Sequence, residues 1–247
     1  MKSTILAAGV LGAAALLTGC GGDDDGDNGN KGGSDASSFT DQSAVDIVTE
    51  AKDAMGTLES VKVSGSIDTD GEEVALDLAM NTEGTCEGSV SIDGANLELL
   101  GVDGTTWFKP DEAFWRQQAG EQAEMVMKTV GDRWVVVPAG EGGFSELCDL
   151  DSLLDQMLSD SDEDEDSYEK GDVEDVDGTE AIAITNVDAE DGDSIGYVAV
   201  EGEHYLLKME QKDTDEPGSI TFSDFDAELA VEPPADDEVF DLEQMAG

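Results

Sequence analysis

The side chains in this chain best suited to specific chemistry are one imidazole, His204, and three thiols, Cys20, Cys86 and Cys148. A Ser-His-Asp nucleophile would have to use His204, which stands between Glu203 and Tyr205 at the expected start of a strand. The plainer reading is an exposed strand-end histidine. Glycosidic cleavage needs two carboxylates flanking a sugar. No pair can be singled out among 61 acids, and three Trp, three Tyr and seven Phe do not make an aromatic sugar cleft. There is no Walker-type loop, no HExxH and no dinucleotide fingerprint. Asp23-Asp24-Asp25-Gly26-Asp27 begins like a calcium loop, but Asn28 takes the place of the turn glycine and no Glu follows at position twelve. The sequence therefore assigns no catalytic residue, no metal site and no cofactor. The expectation is a protein that is not an enzyme.

Cys20 has a different context. Lys2 gives a short positive start, and Ile5 to Leu17 is almost wholly apolar but too short to span a bilayer. The segment Leu17-Thr18-Gly19-Cys20 resembles the lipobox of bacterial lipoproteins. That resemblance implies cleavage before Cys20 and acyl chains on its sulfur and amine. The alternative is an ordinary secretory signal that ends near a cysteine. Gly21 to Ser38 is Gly, Asp, Asn and Ser, a flexible tether with an end-to-end distance of about 25 Å. The expected organisation is a signal peptide at 1–19, a tether at 20–38 and one folded domain at 39–247. The expected location is the extracytoplasmic face of the cell membrane.

With Cys20 acylated, Cys86 and Cys148 remain as an even pair in an oxidising compartment. A disulfide between them would close a loop of about 62 residues and contribute roughly 3–4 kcal/mol. The formal charge of −50 argues against nucleic acid as a partner. The acids are spread along the chain, as on a hydrated surface suited to salt, where ions screen self-repulsion. Cation binding is the other reading of that charge.

Period and turn chemistry give the elements. Ala44, Ile47, Val48, Ala51, Ala54, Met55 and Leu58 form a helical stripe, with Thr40 and Asp41 as candidate N-caps. From Val61 the period changes to two, and Asp70-Gly71, Glu83-Gly84, Asp93-Gly94 and Asp103-Gly104 punctuate a five-strand meander ending at Pro110. A helical stripe follows through Trp115, Ala119, Ala123, Val126 and Val130, interrupted by Gly120. Next come a short strand to Val137 and a helix over Phe144 to Leu158. The acidic stretch 159–177 reads as a solvated loop. A second strand block runs from Thr179 to Phe225, and an extended tail carries Val239, Phe240 and Leu242 toward the domain.

Helices grouped between two antiparallel blocks indicate an α+β fold: a large curved antiparallel sheet, a half-barrel, with helices covering the concave face. This order resembles the LolA/LppX/LprG-like superfamily of envelope lipoproteins. The likeness is closest at Trp107-Phe108-Lys109-Pro110-Asp111-Glu112-Ala113-Phe114-Trp115, at Val130 to Val135 and at Phe144 to Leu150. The resemblance implies an apolar cavity that binds or carries a lipid or other hydrophobic molecule; whether an envelope protein is a further partner stays open. No lipid-contact residue of the family carries over position by position, and the acidity departs from its better-known members. Leu76, Leu78, Met80, Leu97, Leu99 and Trp107 are the wall candidates from alternation, with Trp115 and Met125 on the covering helix. Acyl chains gain about 0.8 kcal/mol per buried CH₂ on such walls. The competing reading is an ordinary packed core and a domain that acts through protein contacts.

Overall fold

The computed structural model describes residues 38–69, 71–137, 146–159, 167–187, 193–211 and 217–241. Cys20, the signal segment, nearly all of the tether, the acidic run 160–166 and Leu242 lie outside these residues. Among the described residues no helix is long and apolar enough to cross a membrane.

Helix α1 spans Ala44–Met55. Its N-cap is Ser43, not Thr40 or Asp41: the Asp46 amide donates to Ser43 Oγ at 3.2 Å. Phe39 to Gln42 closes a turn first, through the Gln42 amide and the Phe39 carbonyl. The ammonium of Lys170 donates to the carbonyls of Thr40 and Gln42, each at 2.7 Å. Ile47, Ala51 and Met55 form the buried face of the helix, as the stripe requires.

Five strands follow: β1 Ser60–Thr69, β2 Glu72–Asn81, β3 Cys86–Ile92, β4 Ala95–Val102 and β5 Thr105–Pro110. Each pairs antiparallel with the next. The helical stripe after Pro110 divides in two, α2 Glu112–Ala119 and α3 Ala123–Val130, because Gly120 adopts φ +52° and leads into a 3₁₀ turn. Strand β6, Trp134–Val137, pairs with β5. Helix α4 is Leu150–Ser159, shorter than the predicted span, and a 3₁₀ turn over Glu146–Cys148 precedes it. The Asp149 carboxylate takes the Ser152 amide at 3.0 Å and starts the helix there.

Strand β7, Tyr168–Val176, corrects the loop expected at 159–177. It is the outermost strand of the sheet, with its side chains exposed from Glu169 to Asp175. An edge strand needs no apolar face, and edge charges discourage further pairing. Strands β8 Thr179–Asn186, β9 Ser194–Ala199, β10 Leu206–Gln211 and β11 Gly218–Ser223 complete the second block. Strand β12, Val239–Asp241, pairs parallel to β6.

All twelve strands form one open sheet in the order β12-β6-β5-β4-β3-β2-β1-β11-β10-β9-β8-β7. The two blocks join where β1 pairs with β11. Gly65 and Gly88 stand in the middle of the sheet at φ +147° and +149°. A Cβ on Gly65 would come within 2.0 Å of the Ser219 carbonyl oxygen, and one on Gly88 within 2.0 Å of that of Asp77. Such backbone is open only to glycine, and it lets a wide sheet curve. The architecture is the expected α+β fold, a large curved sheet with a few helices.

Candidate functional site: the apolar face of the sheet

Strand register sorts the side chains into two faces. One row reads Phe222, Val63, Leu78, Gly88, Leu99, Phe108 and Val135 across neighbouring strands. A second reads Met209, Ile220, Gly65, Leu76, Val90 and Leu97. A third reads Ile67, Val74, Ile92 and Ala95. These rows and the helices share one core that includes Ile47, Met55, Phe114, Val130 and Leu154.

The wall candidates divide along these rows. Leu78, Met80, Leu97 and Leu99 are at most 1 % exposed, packed on all sides. Leu76 is half-buried, as are its neighbours Ile67, Val74, Ile92 and Met209. The apolar face is thus closed at the end of the sheet that holds Met80 and Cys86. It is less covered at the end formed by the β1–β2 and β3–β4 hairpins. Gly65 adds to this, because it brings no side chain to the row between Ile220 and Leu76. Ile67, Val74 and Ile92 continue the alternation visible in the sequence. Met209 carries no such signal on its own.

Trp107 does not join this wall. It alternates with the buried Phe108, and its cross-strand partners are Leu100 and Val136. Two adjacent aromatic residues cannot both face the core of one strand, and the register gives that face to Phe108. Trp115 is half-buried against the core, with ring centroids 6.4 Å from Phe108 and 5.7 Å from Phe114. Met125 on α3 is 69 % exposed and turned away from the core.

The disulfide Cys86–Cys148 links β3 to the 3₁₀ turn before α4, with the Cα atoms 5.3 Å apart. It closes the packed end of the apolar face. Helix α2 is set on the sheet by Asp111, whose Oδ1 accepts the Phe114 amide at 2.8 Å. Its Oδ2 accepts the Asn96 amide and side-chain Nδ2, both at 3.1 Å. Partial burial raises the pKa of Asp111. The donated hydrogen bonds from Phe114, Asn96 and Ala113 outweigh it and bring the net value below 3.8.

The cations near the helix–strand junctions have protein partners. Lys109 pairs with Asp132 at 3.1 Å, and Arg116 with Glu112 at 2.5 Å. Arg133 donates to the carbonyls of Val130 and Thr129 at the end of α3 and lies 4.6 Å from the Phe240 ring centre. These contacts engage all three cations within the chain. His204 adopts φ +56°, donates from Nδ1 to the Ala199 carbonyl at 2.9 Å and stacks on Phe39 at 3.7 Å. It pins the start of the folded domain to the β9–β10 turn.

A cavity of about 420 Å³ opens on the opposite face of the sheet, between β1–β3 and the chain after β11. Lys62, Asp77, Glu87, Asp224 and Glu228 line it, and Lys62 is already paired with Asp77 at 3.1 Å. Val61, Ala79, Met80, Ala227 and Leu229 share the lining with these charges, so the cavity is of mixed polarity and suits an acyl chain less well than the uninterrupted apolar rows. The apolar rows, not this cavity, are the candidate site.

No family model matches the chain, and no curated protein matches it. Solved structures do. LprF from Mycobacterium bovis aligns with a TM-score of 0.56 at 15 % identity, covering 78 % of this chain and 97 % of that one. The lipoprotein LppX from Mycobacterium tuberculosis aligns with a TM-score of 0.51 at 16 % identity, covering 76 % and 98 %. At such identity the likeness is one of fold. In fold, this chain is similar to LprF and to the lipoprotein LppX.

Proposed function

We propose that this protein is a noncatalytic, membrane-anchored extracytoplasmic lipoprotein that binds or carries a lipid or other hydrophobic ligand. Cys20 carries the anchor, and the ligand lies on the apolar face of the sheet. The observation that supports this most is the gradient of burial along that face. Leu78, Leu97 and Leu99 are fully packed, while Ile67, Val74, Leu76, Ile92 and Met209 stay partly exposed beside them. An acyl chain seated over those five residues would complete the burial, at roughly 25 cal/mol per Å² of apolar surface covered.

The test is native mass spectrometry of the chain from Ser38 onward, purified without detergent. A discrete adduct of lipid mass that is lost on denaturation, and is weakened by Leu76→Asp, supports the reading. An apo mass, with no binding of fatty-acid or glycolipid probes, overturns it. The full burial of Leu78, Met80, Leu97 and Leu99 favours a second reading, a filled domain acting through protein contacts. An apo result would favour that reading.

A further inference from the structure

Strand β12 is attached to the domain unlike any other described strand. It has three residues and pairs parallel to β6: Val239 with Trp134, Phe240 with Val135, Asp241 with Val136. Its one buried side chain is Phe240, which extends the core row through Val135 and Phe108 and carries Arg133 over its ring. A single aromatic anchor and a short ladder make this a low-stability unit of the fold.

The chain leading to it is held at both ends and loose between. At the near end, Asp226 accepts the Glu59 amide at 2.8 Å and the Tyr205 hydroxyl at 3.0 Å. Ser60 Oγ donates to the Ala227 carbonyl at 2.6 Å. At the far end, a 3₁₀ turn over Asp236–Glu238 enters β12. From Glu228 to Pro234 the backbone makes no hydrogen bond to another described residue. Fully extended, Ala227 to Glu238 reaches roughly 40 Å. When β12 lifts away, β6 becomes an open edge beside an empty Phe-sized slot, a template for an added strand.

We propose that β12 exchanges between two copies of this chain: the Val239–Asp241 strand of one molecule docks on β6 of another. The occupant is the second copy, because the fit of this segment to this slot is already made within one molecule. Closed and exchanged forms keep the same contacts at β6. Protein concentration and mutual charge therefore decide between them. A charge of −50 on each copy opposes pairing at low salt. Raising salt from 0.1 to 1 M shortens the Debye length from about 10 to about 3 Å and relieves that opposition. This inference stands apart from the lipid reading.

The test uses full chains carrying Val136→Cys or Asp241→Cys, register partners in the β6–β12 ladder. The two variants are mixed in 1 M salt and oxidised mildly. Exchange gives a covalent heterodimer about tenfold above a control mix of Ser91→Cys with Asp241→Cys. The double variant Val136→Cys, Asp241→Cys, diluted, links internally and remains a monomer. A mixed pair no better than the control, with the double variant still linking internally, overturns the proposal. A second measurement covers loss of folding in the variants. Sedimentation of the unaltered chain should show a dimer fraction that rises with concentration and salt and falls on Phe240→Ala. A monomer under all those conditions overturns the proposal as well.

Discussion

Gly101 is the register partner of Cys86, and the empty side of its Cα is the space the disulfide occupies. A Cβ there would lie 2.9 Å from Cys86 Sγ and 3.0 Å from Cys148 Sγ. The bridge and the glycine are therefore one unit. Gly101→Ala should cost about 1–3 kcal/mol by overpacking. In a Cys86→Ala, Cys148→Ala background, which itself loses roughly 3–4 kcal/mol, the same change should cost far less. Urea midpoints for the four proteins give the coupling. Additive losses would show that the two features act independently.

The hydrogen bond of Tyr205 to Asp226 makes stability sensitive to alkaline pH. Burial raises the Tyr205 pKa above 10.0, and its hydrogen bond to Asp226 adds to the shift, with charge repulsion from Asp226 and Glu203. A raised folded pKa means that the contribution is fully present below the unfolded value and is lost as pH climbs through the folded one. Stability should fall above about pH 10. Tyr205→Phe should flatten that fall while costing about 1 kcal/mol at neutral pH. Urea titrations between pH 8 and 11 measure both, and an equal alkaline slope in the variant would remove Tyr205 from the account.

Asp111 acts at the other end of the pH scale. Its folded pKa lies below 3.8, so its stabilisation is present above the unfolded value and disappears as pH falls through the folded one. Asp111→Ala should cost about 1 kcal/mol at pH 7, as the loss of a helix N-cap does. The gap between wild type and variant should narrow as pH falls below 3.8. Acid titrations followed by circular dichroism would show the convergence, and a constant gap would contradict the capping role.

The charge itself predicts a salt response. With 61 acids against 11 cations, self-repulsion destabilises the compact state, and screening restores it. The thermal midpoint should rise steeply between low salt and 1 M sodium chloride. A midpoint that does not move with salt would count against a surface suited to saline surroundings.

Local pattern carried much of this fold into the sequence. The spacing of Ile47, Ala51 and Met55 reveals α1, and Val61, Val63, Leu76 and Leu78 announce the meander, because each element buries one face. Strand β7 was hidden, since an edge strand exposed from Glu169 to Asp175 has no apolar alternation to read. The face of Trp107 was hidden for another reason. In Trp107-Phe108 either aromatic fits the core, and only the pairing of Phe108 with Leu99 and Val135 decides. The pairing of Cys86 with Cys148 followed from counting thiols. Alternation places Ile67 and Ile92 on the apolar face, but it does not tell that they, with Met209, are only half-buried there, because that depends on what packs over each end of the sheet. The junction of β1 with β11 is likewise a long-range choice that no local period encodes.

That junction bears on how the molecule is made. Val63 meets Leu78, which lies 15 residues further on, soon after both are synthesised, but its other partner, Phe222, is among the last residues of the fold to emerge. Until then β1 presents a bare strand edge on a growing chain. Closing the sheet at β1 is a late, high-contact-order event, and such closures are slow. A stop codon anywhere before Gly218 would leave that edge permanently open. The nascent protein is therefore most in need of a chaperone in the interval between completing its first half and receiving β11.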